Sequence, residues 1–140
     1  MATTLGQLLE FRLGTEEYCI DIAYVDEIVG INEIRSLPQA PRHVEGVTDL
    51  RGQTTTVIDP SIVLDIETDI DWTHIIVLDT TALGNGDESL GWLVNDVDQV
   101  TDIEETEIER TTTMDGTAVD GLVTRDDEYI VQLDPTAVAG

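Results

Sequence analysis

The chain has 140 residues, 41% of them hydrophobic, which is enough for one domain or for two small subdomains that share a core. Thirty acidic residues stand against six basic residues, all of them arginines, so the formal net charge is −24. Nucleic-acid binding and docking on anionic lipid both require clustered cations, and this composition argues against both functions.

The acidic residues are interspersed with apolar residues and form no tail, which predicts a folded protein with an acidic surface and not a disordered chain. Self-repulsion at a charge of −24 destabilises a fold in dilute buffer. Concentrated salt removes most of that cost, because the Debye length falls to about 3 Å at 1 M. The absence of lysine and the abundance of threonine predict adaptation to a salt-loaded cytoplasm, as in a halophilic prokaryote.

Targeting and cross-linking signals are also missing from the sequence. The single cysteine, Cys19, excludes an internal disulfide. No apolar run approaches the ~20 residues that a membrane span requires, so we expect no direct membrane insertion. The first residues lack the basic start and the apolar stretch of a signal peptide. The sequence therefore predicts a soluble cytoplasmic protein.

Hydrophobic residues in the first half mostly alternate with polar ones, which is typical of half-buried strands. Segments 9–13 and 18–22 predict a hairpin. Segment 25–29 instead has apolar residues at positions i, i+3 and i+4, so we expect a short helix there that ends at Gly30.

The next segments predict a connector and a second hairpin. Two prolines within 37–41 exclude a central strand and indicate an extended connector. Segments 44–50 and 53–59 then predict two strands joined by a tight turn. Pro60 can begin a single helical turn after them.

The second half is also rich in predicted strands. Segment 73–79 is almost wholly apolar, as in a strand covered on both faces, and segment 89–94 predicts the next strand. The remaining expectations are a turn at 84–87, a helical turn or irregular strand at 97–103, a mobile loop at 104–118 and a hairpin of 120–125 with 129–133. Nine or ten strands at regular spacing predict closed or semi-closed β-barrels.

Motifs that carry catalysis or metal binding are mostly missing. The two histidines and the cysteine have no partners at zinc-ligand spacing, no serine lies in a nucleophile elbow, and there is no lysine to form a Schiff base. Alternating acids at Asp65, Glu67, Asp69 and Asp71 are similar to the start of an EF-hand, but the later glycine and glutamate of such a loop are missing. We therefore expect no enzymatic activity, no metal and no cofactor.

Arg51 lies in a predicted tight turn, two residues after Asp49 and directly before Gly52. In one interpretation, Arg51 stabilises this turn through the Asp49 carboxylate and backbone carbonyls. In the other, its guanidinium fixes a partner-binding groove, since its planar fork can bridge several acceptors. The sequence leaves both interpretations open.

The apolar, glycine and proline positions form one pattern that covers nearly the whole chain. It consists of Phe11-x-Leu13-Gly14, Tyr18-x-Ile20-Asp21-Ile22, Val25-x-Glu27-Ile28, Leu37-Pro38-x-Ala40-Pro41, Val44-x-Gly46-Val47-x-x-Leu50-Arg51-Gly52, Val57-Ile58-Asp59, Leu90-Gly91-Trp92-Leu93-Val94, Val97-x-x-Val100, Gly121-Leu122-Val123 and Ile130-Val131-Gln132-Leu133-Asp134. In this order the residues resemble the CheW chemotaxis coupling protein family. Thr54-Thr55-Thr56 and Pro60 depart from the family pattern, which bears on local strand packing.

The resemblance implies a mainly β fold of two intertwined five-stranded SH3-like barrels with short helices. It implies a single domain over residues 1–140, in which two interleaved barrel subdomains share a hydrophobic core. It also implies a non-catalytic adaptor that links the signalling tips of methyl-accepting chemoreceptors to the regulatory domain of the histidine kinase CheA. Such a protein is expected at membrane-associated chemoreceptor clusters, held there by its partners.

The resemblance further assigns residues to partner binding. The residues that match the receptor-binding groove of the family are Val25, Glu27, Gly30 and Arg51. The residues that match the second barrel's side of the groove, as core or as contact with the kinase, are Val97 and Val100. The residues that match glycines interpreted as backbone-permissive turn positions are Gly46 and Gly52.

The acidic surface adds an expectation about where partners bind. Salt screens long-range attraction, so apolar patches and short hydrogen bonds must supply the affinity. We therefore predict that the contact surfaces are islands of low charge on an acidic exterior. Two alternatives are an acidic metal- or ligand-binding β-domain with no role in chemotaxis, and a paralogue that has lost one partner and serves as a structural component.

Overall fold

The computed structural model describes residues 4–31, 33–64, 66, 71–79, 89–104, 108–109, 119–125 and 128–133. Strands form most of this part of the chain. They are β1 (Thr4–Leu13), β2 (Glu16–Asp21), β3 (Val25–Gly30), β4 (Val44–Leu50), β5 (Gln53–Ile58), β6 (His74–Leu78), β7 (Ser89–Val94), β8 (Asp96–Glu104), β9 (Ile108–Glu109), β10 (Val119–Arg125) and β11 (Glu128–Leu133). The helical elements are a 3₁₀ turn (Ile22–Tyr24) and helix α1 (Pro60–Val63). None of the described helices is long and apolar enough to cross a membrane.

The strands form two sheets. One has the order β8-β1-β2-β11-β10-β9, and the other has the order β3-β6-β7-β5-β4. Most neighbours are antiparallel, but β2 and β11 pair in parallel, and so do β5 and β7. Strands β3 to β7 follow each other along the chain and lie between β2 and β8, so the five-stranded sheet is an insertion within the six-stranded one.

The mainly β fold is confirmed, with one correction to the expected barrels. Neither sheet is closed by strand pairing in the described residues, because β8 and β9 are the edges of one sheet and β3 and β4 are the edges of the other. The six-stranded sheet also has one strand more than expected, the two-residue β9. The edge of β4 is instead covered at one point, where Arg35 pairs with Val47 in an isolated antiparallel bridge.

A hydrophobic core joins the two sheets. It contains side chains from β1, β2 and β11 of one sheet and from β5, β6 and β7 of the other. The buried members are Leu9, Phe11, Leu13, Tyr18, Ile20, Ile58, Ile76, Leu78, Leu90, Trp92, Val94 and Leu133. We call this set the shared core.

Each sheet also covers a smaller apolar cluster on its other face. Val57, Ile75, Val77 and Leu93 form the one on the five-stranded sheet. Leu8, Cys19, Val123 and Ile130 form the one on the six-stranded sheet. Strand β6 therefore alternates between the shared core and the cluster behind it, which is why its sequence is apolar at nearly every position.

The short helix α1 forms where Pro60 predicted it. Asp59 caps the helix, since its Oδ1 accepts hydrogen bonds from the Ser61 backbone N–H at 3.0 Å and from the Ser61 hydroxyl at 2.5 Å. Pro60 occupies the first turn, where the missing N–H has no helical partner to lose.

Strand β5 accommodates the threonines that depart from the family pattern. The buried Thr55 hydroxyl forms a hydrogen bond of 2.8 Å with the Ser89 hydroxyl.

The expected helix around Val25 is wrong. Val25–Gly30 forms the strand β3, antiparallel to β6, and its burial alternates with a period of two. A register shift between Val25 and Glu27 leaves Asp26 as an extra residue in this strand. Such a bulge changes the phase of the alternation, and this gives the apolar residues a spacing that imitates one helical turn.

The other ambiguous segments have different outcomes. Of the two possibilities for 97–103, the irregular strand is the one that forms, since β8 covers this segment and has a register shift against β1. The two hairpins in the first half and the pairing of β10 with β11 form as expected. The turn at 84–87 lies outside the described residues, as does most of the loop at 104–118, within which only Glu104 at the end of β8 and the two residues of β9 are described.

Asn95 connects three segments at the corner between β7 and β8. Its side chain is 5% exposed. Its Oδ1 accepts a hydrogen bond from the Gly14 N–H at 2.7 Å, its Nδ2 donates to the Asp71 carbonyl at 3.1 Å, and its backbone N–H donates to the Arg12 carbonyl at 3.0 Å. Asn95 therefore fixes the β1–β2 turn against the segment that leads into β6.

An Asn95→Ala variant is expected to lose about 1–2 kcal/mol of unfolding free energy, because it removes two part-buried hydrogen bonds, from the Gly14 N–H and to the Asp71 carbonyl. Urea denaturation at constant potassium chloride measures this, since guanidinium chloride would itself screen the charge. Thr15→Ala, exposed in the same turn, is the control and should change stability by less than about 0.5 kcal/mol. Equal effects of the two variants would contradict the role given to Asn95.

Candidate functional site

Arg51 and Gly52 form the two-residue turn between β4 and β5. Their φ angles are +56° and +80°, the combination that a type I′ hairpin turn requires at its central residues. Gly52 adopts this conformation freely, whereas an L-residue with a side chain pays about 1–2 kcal/mol. Asn or Asp tolerates the position better than Arg. Arg51 therefore occupies a position whose backbone conformation disfavours arginine.

The guanidinium of Arg51 contacts a carboxylate on another strand. Its Nη2 lies 2.7 Å from Oε2 of Glu27, and the two side chains are 80% and 25% exposed. Glu27 is in β3 and Arg51 follows β4, so this ion pair connects the two edges of the five-stranded sheet. The bulge at Asp26 helps to aim Glu27, because a bulge bends its strand and redirects the side chains that follow.

The ion pair fixes geometry more than it stabilises the fold. An exposed pair contributes about 0–1 kcal/mol, which does not exceed the cost of the left-handed backbone at Arg51. The first interpretation of Arg51 named Asp49 as its carboxylate partner. The structure shows an ion pair with Glu27, which lies 24 positions earlier in the chain. The arrangement therefore offers a mostly exposed guanidinium that one ion pair holds at a defined place.

Val25 and Gly30 lie at the two ends of the strand that carries Glu27. Val25 is half-buried and packs against the shared core. Gly30 is exposed and pairs with His74, and a Cβ built on it meets nothing within 4 Å. A larger residue would therefore fit at position 30, and glycine leaves this point of the surface without a side chain.

Val97 and Val100 lie on β8, an edge strand of the other sheet. Val97 is half-buried and packs against the shared core, as Val25 does. Val100 is 44% exposed. The structure therefore brings Glu27 and Arg51 into contact, and places Val25 and Val97 against one common core.

Gly46 lies within β4 and not in a turn, which corrects one of the two glycine expectations. Its φ is +152°, and a Cβ built on it would lie 2.0 Å from the Arg35 carbonyl oxygen. The reason for glycine here is thus the close approach of the Arg35 backbone. Gly52 does lie in its expected turn.

A groove of about 320 Å³ lies beside the bridge between Arg35 and β4. Its lining residues are Glu33, Arg35, Val47, Thr48, Asp49 and Thr54. The Thr48 hydroxyl donates to the Glu33 carbonyl at 2.7 Å, which holds the chain along β4. Neither Arg35 nor Thr48 was predictable as a lining residue, because no sequence motif marks these positions.

One acidic group near this region has an altered titration. Burial, and then the charge of Asp59, raises the pKa of the Glu45 carboxyl above its usual range. Glu45 is the extra residue of a bulge between β4 and β5, half-buried, and so contributes less negative surface than an exposed glutamate.

Comparison with known proteins places this fold. The profile of the CheW-like domain matches residues 7–140 of the chain. The chain belongs to the CheW-like domain family. The crystal structure of scaffolding protein TtCheW from Thermoanaerobacter tengcongensis superposes with a TM-score of 0.80 at 27% sequence identity, over 91% of this chain and 83% of that one. The expected membership of this family is confirmed.

Curated CheW-like relatives agree with the profile. The chemotaxis protein CheW of Thermotoga maritima is 28% identical over 130 residues, which are 91% of this chain and 83% of that protein. The chemotaxis protein CheW of Treponema pallidum is 45% identical over 53 residues, and that of Klebsiella aerogenes is 46% identical over 57 residues. These two alignments span 31% and 34% of those relatives, about a third of their length.

Proposed function

We propose that this chain is a non-catalytic adaptor that couples chemoreceptor signalling tips to the histidine kinase CheA. Its membership of the CheW-like family and its likeness to a protein described as a scaffold support the proposal. The partners are methyl-accepting chemoreceptors and the regulatory domain of the kinase, and the place of action is the cytoplasmic receptor cluster. Neither catalysis nor a cofactor is part of this function.

The observation that best supports a receptor-binding site is that Arg51 has a left-handed backbone conformation and pairs with Glu27. A residue held in a sparsely populated backbone region persists only where its surroundings or its function require it. The ion pair is too exposed to account for the strain through stability. We therefore assign Arg51 and Glu27 to the receptor contact, with Val25 and Gly30 on the same strand as Glu27.

The adaptor acts through two surfaces on one chain. Holding receptor and kinase together raises the effective concentration of each for the other. A change in the receptor reaches the kinase only if the contacts differ between signalling states. Val97 and Val25 pack against the same shared core, so this core is a physical connection by which strand β8 can respond to a change at β3.

Arg51→Asn separates function from folding. Asparagine tolerates the left-handed conformation, so stability should stay within about 1 kcal/mol of the unmodified protein. Binding of a cognate receptor signalling fragment should weaken about tenfold, because the guanidinium donors are lost. Co-sedimentation with that fragment and with the kinase, in potassium chloride at molar concentration, measures assembly. Urea denaturation of the same variant measures stability.

Glu27→Gln is the matched second variant, because it keeps the side-chain shape and removes only the charge that holds Arg51. It should weaken receptor binding and leave kinase binding unchanged. If both folded variants bind the receptor as tightly as the unmodified protein, Arg51 and Glu27 do not belong to the receptor contact. Failure of the unmodified protein to bind either partner would refute the adaptor function itself.

The alternative is an acidic metal- or ligand-binding β-domain. Of the acidic residues that suggested calcium, only Asp71 lies within the described part of the chain. In that part, no group of three or more His, Cys, Asp or Glu side chains could hold a metal ion. Calorimetric titration with calcium in potassium chloride distinguishes the two functions, since the alternative requires saturable uptake and the adaptor does not.

A further inference from the structure

Strand β8 is an edge of the six-stranded sheet and contains a bulge. Gln99 pairs with Glu10 of β1, and Val97 pairs with Phe11. Asp98 lies between these two pairs and is the extra residue of the bulge. Directly opposite side chains lie on the same face of a sheet, and successive side chains of a strand lie on opposite faces. The extra residue therefore reverses the alternation within β8.

The bulge brings two valines to one face of the sheet. Val97 is half-buried and packs against the shared core, on the same face as Phe11. Val100 pairs with Leu9, which belongs to the same core, but Val100 lies at the edge of the sheet and is 44% exposed. Without the extra residue, side chains three positions apart in a strand would lie on opposite faces. The bulge therefore lets Val100 extend the apolar face of the core to solvent.

Two charged side chains of β1 hold the residues around the bulge. Oε2 of Glu10 accepts a hydrogen bond of 2.8 Å from the Thr101 hydroxyl and one of 3.4 Å from Nε2 of Gln99. Nε of Arg12 lies 3.4 Å from Oδ2 of Asp98, the bulged residue itself. These contacts attach the bulge and the residues that follow it to β1.

The hydrogen bonds of Glu10 determine which face Val100 occupies. Gln99 and Thr101 are the two neighbours of Val100 in the strand, and both donate to Glu10. Glu10 lies between two core residues of β1, so its own side chain is on the face away from the shared core. Holding both neighbours on that face leaves Val100 on the core face. Glu10 is 4% exposed, so water competes little for these hydrogen bonds.

The charge of Glu10 also opposes the alternative register. If residues 98–104 moved by one position along β1, Asp98 would lie directly opposite Glu10. Val100 would then lie opposite Leu8, on the other face of the sheet. Two carboxylates directly opposite each other repel, and burial strengthens the repulsion. Glu10 thus favours the observed register twice, by accepting hydrogen bonds in it and by repelling Asp98 in the other.

We propose that Glu10 is a positioning residue for the receptor contact. It fixes the register of β8 so that Val100 meets an apolar side chain of the chemoreceptor signalling tip. The receptor is the partner because β8 and β3, the strand of Glu27, each add a half-buried valine to the same core, Val97 and Val25. An apolar contact also keeps its strength in salt, which screens attraction between charges. The inference rests on the proposed function, since it extends the receptor contact from β3 to β8.

The test removes the hydrogen bonds of Glu10 and then restores an acceptor. Glu10→Met keeps a similar side-chain length but loses the carboxylate, so nothing at this position opposes the other register. Glu10→Gln keeps an acceptor oxygen. Each variant is titrated with the purified receptor signalling fragment and, separately, with the kinase regulatory domain, in potassium chloride at molar concentration. Glu10→Met should bind the receptor fragment about tenfold more weakly, Glu10→Gln should stay within about threefold, and kinase binding should not change.

Thr101→Val tests the same contact from the edge strand, where it is easier to tolerate than a change at a buried position. It keeps the side-chain shape and the strand preference and removes only the hydroxyl that donates to Glu10, so receptor binding should weaken about threefold. Gln7→Met is the matched control. Gln7 also donates from β1 to β8, to Oδ1 of Asp102 at 3.0 Å, but away from the bulge. This variant should bind both partners as the unmodified protein does.

Two further measurements distinguish positioning from general support of the fold. Cross-strand nuclear Overhauser effects between Val100 and Leu9 should be lost in Glu10→Met, and effects between Val100 and Leu8 should replace them. Val100→Ala should weaken receptor binding about tenfold, and adding Glu10→Met to it should weaken binding little further, because both changes remove one contact. Val63→Ala, at a valine that is 39% exposed, is the control and should bind normally.

Unchanged receptor binding in the folded Glu10 and Thr101 variants would overturn the inference and leave the adaptor function intact. An equal loss of receptor and kinase binding, or a loss confined to the kinase, would also overturn it. So would normal receptor binding by Val100→Ala, because Val100 would then not be the contact that Glu10 positions. If the unmodified protein binds neither partner, the adaptor function fails, and this inference fails with it.

Discussion

Trp92→Ala is expected to lose about 3–5 kcal/mol of unfolding free energy, enough to unfold much of a marginally stable domain. Trp92 is fully buried on β7 and is among the largest buried side chains of the described residues. Its ring meets Phe11 of β1 edge-on, with the centroids 6.1 Å apart, so the contact crosses from one sheet to the other. Truncation would leave a cavity where the two sheets depend on each other.

Trp92→Phe separates lost volume from lost polarity. The indole Nε1 is buried and has no hydrogen-bond partner among the residues that the structure describes. Phenylalanine keeps most of the apolar contact and removes an unsatisfied donor, so its cost should be roughly half that of alanine or less. Urea denaturation at constant potassium chloride gives both values. A phenylalanine variant as unstable as the alanine variant would contradict this prediction.

Strands were predictable from the sequence wherever the alternation was unbroken. The hairpin of β1 with β2, the hairpin of β4 with β5 and the fully covered β6 all follow from local patterns. The exception, β3, contains a bulge, and one extra residue is enough to make a strand period resemble a helical one. Local pattern also cannot show whether a sheet closes, because closure depends on how the edge strands curve in three dimensions.

The candidate site was predictable only in part. Arg51 was singled out as a non-acidic residue in a tight turn, and the family resemblance assigned both Arg51 and Glu27 to one groove. Their contact was not predictable, since it joins β3 to the end of β4 across opposite edges of one sheet. The left-handed backbone of Arg51 was not predictable either, because the sequence Arg-Gly is compatible with several turn types.

Gly46→Ala is expected to destabilise the protein by about 2–4 kcal/mol, because the added Cβ has no room and an unfavourable φ of +152°. The Cβ would lie 2.0 Å from the Arg35 carbonyl oxygen and 2.7 Å from its carbon. Both are backbone atoms, so no side-chain rotation relieves the clash. The connector must move away from β4, which breaks the two hydrogen bonds between Arg35 and Val47.

Gly30→Ala is the matched control, since it lies on the opposite edge of the same sheet and its added Cβ meets nothing within 4 Å. It should change stability by less than about 0.5 kcal/mol.

Hydrogen exchange provides the second measurement. In Gly46→Ala the amides of Arg35 and Val47 should exchange faster than the amides of β6, which lies in the sheet interior. Uniform protection with lower overall stability would mean that the connector stays attached and that β4 itself absorbs the strain.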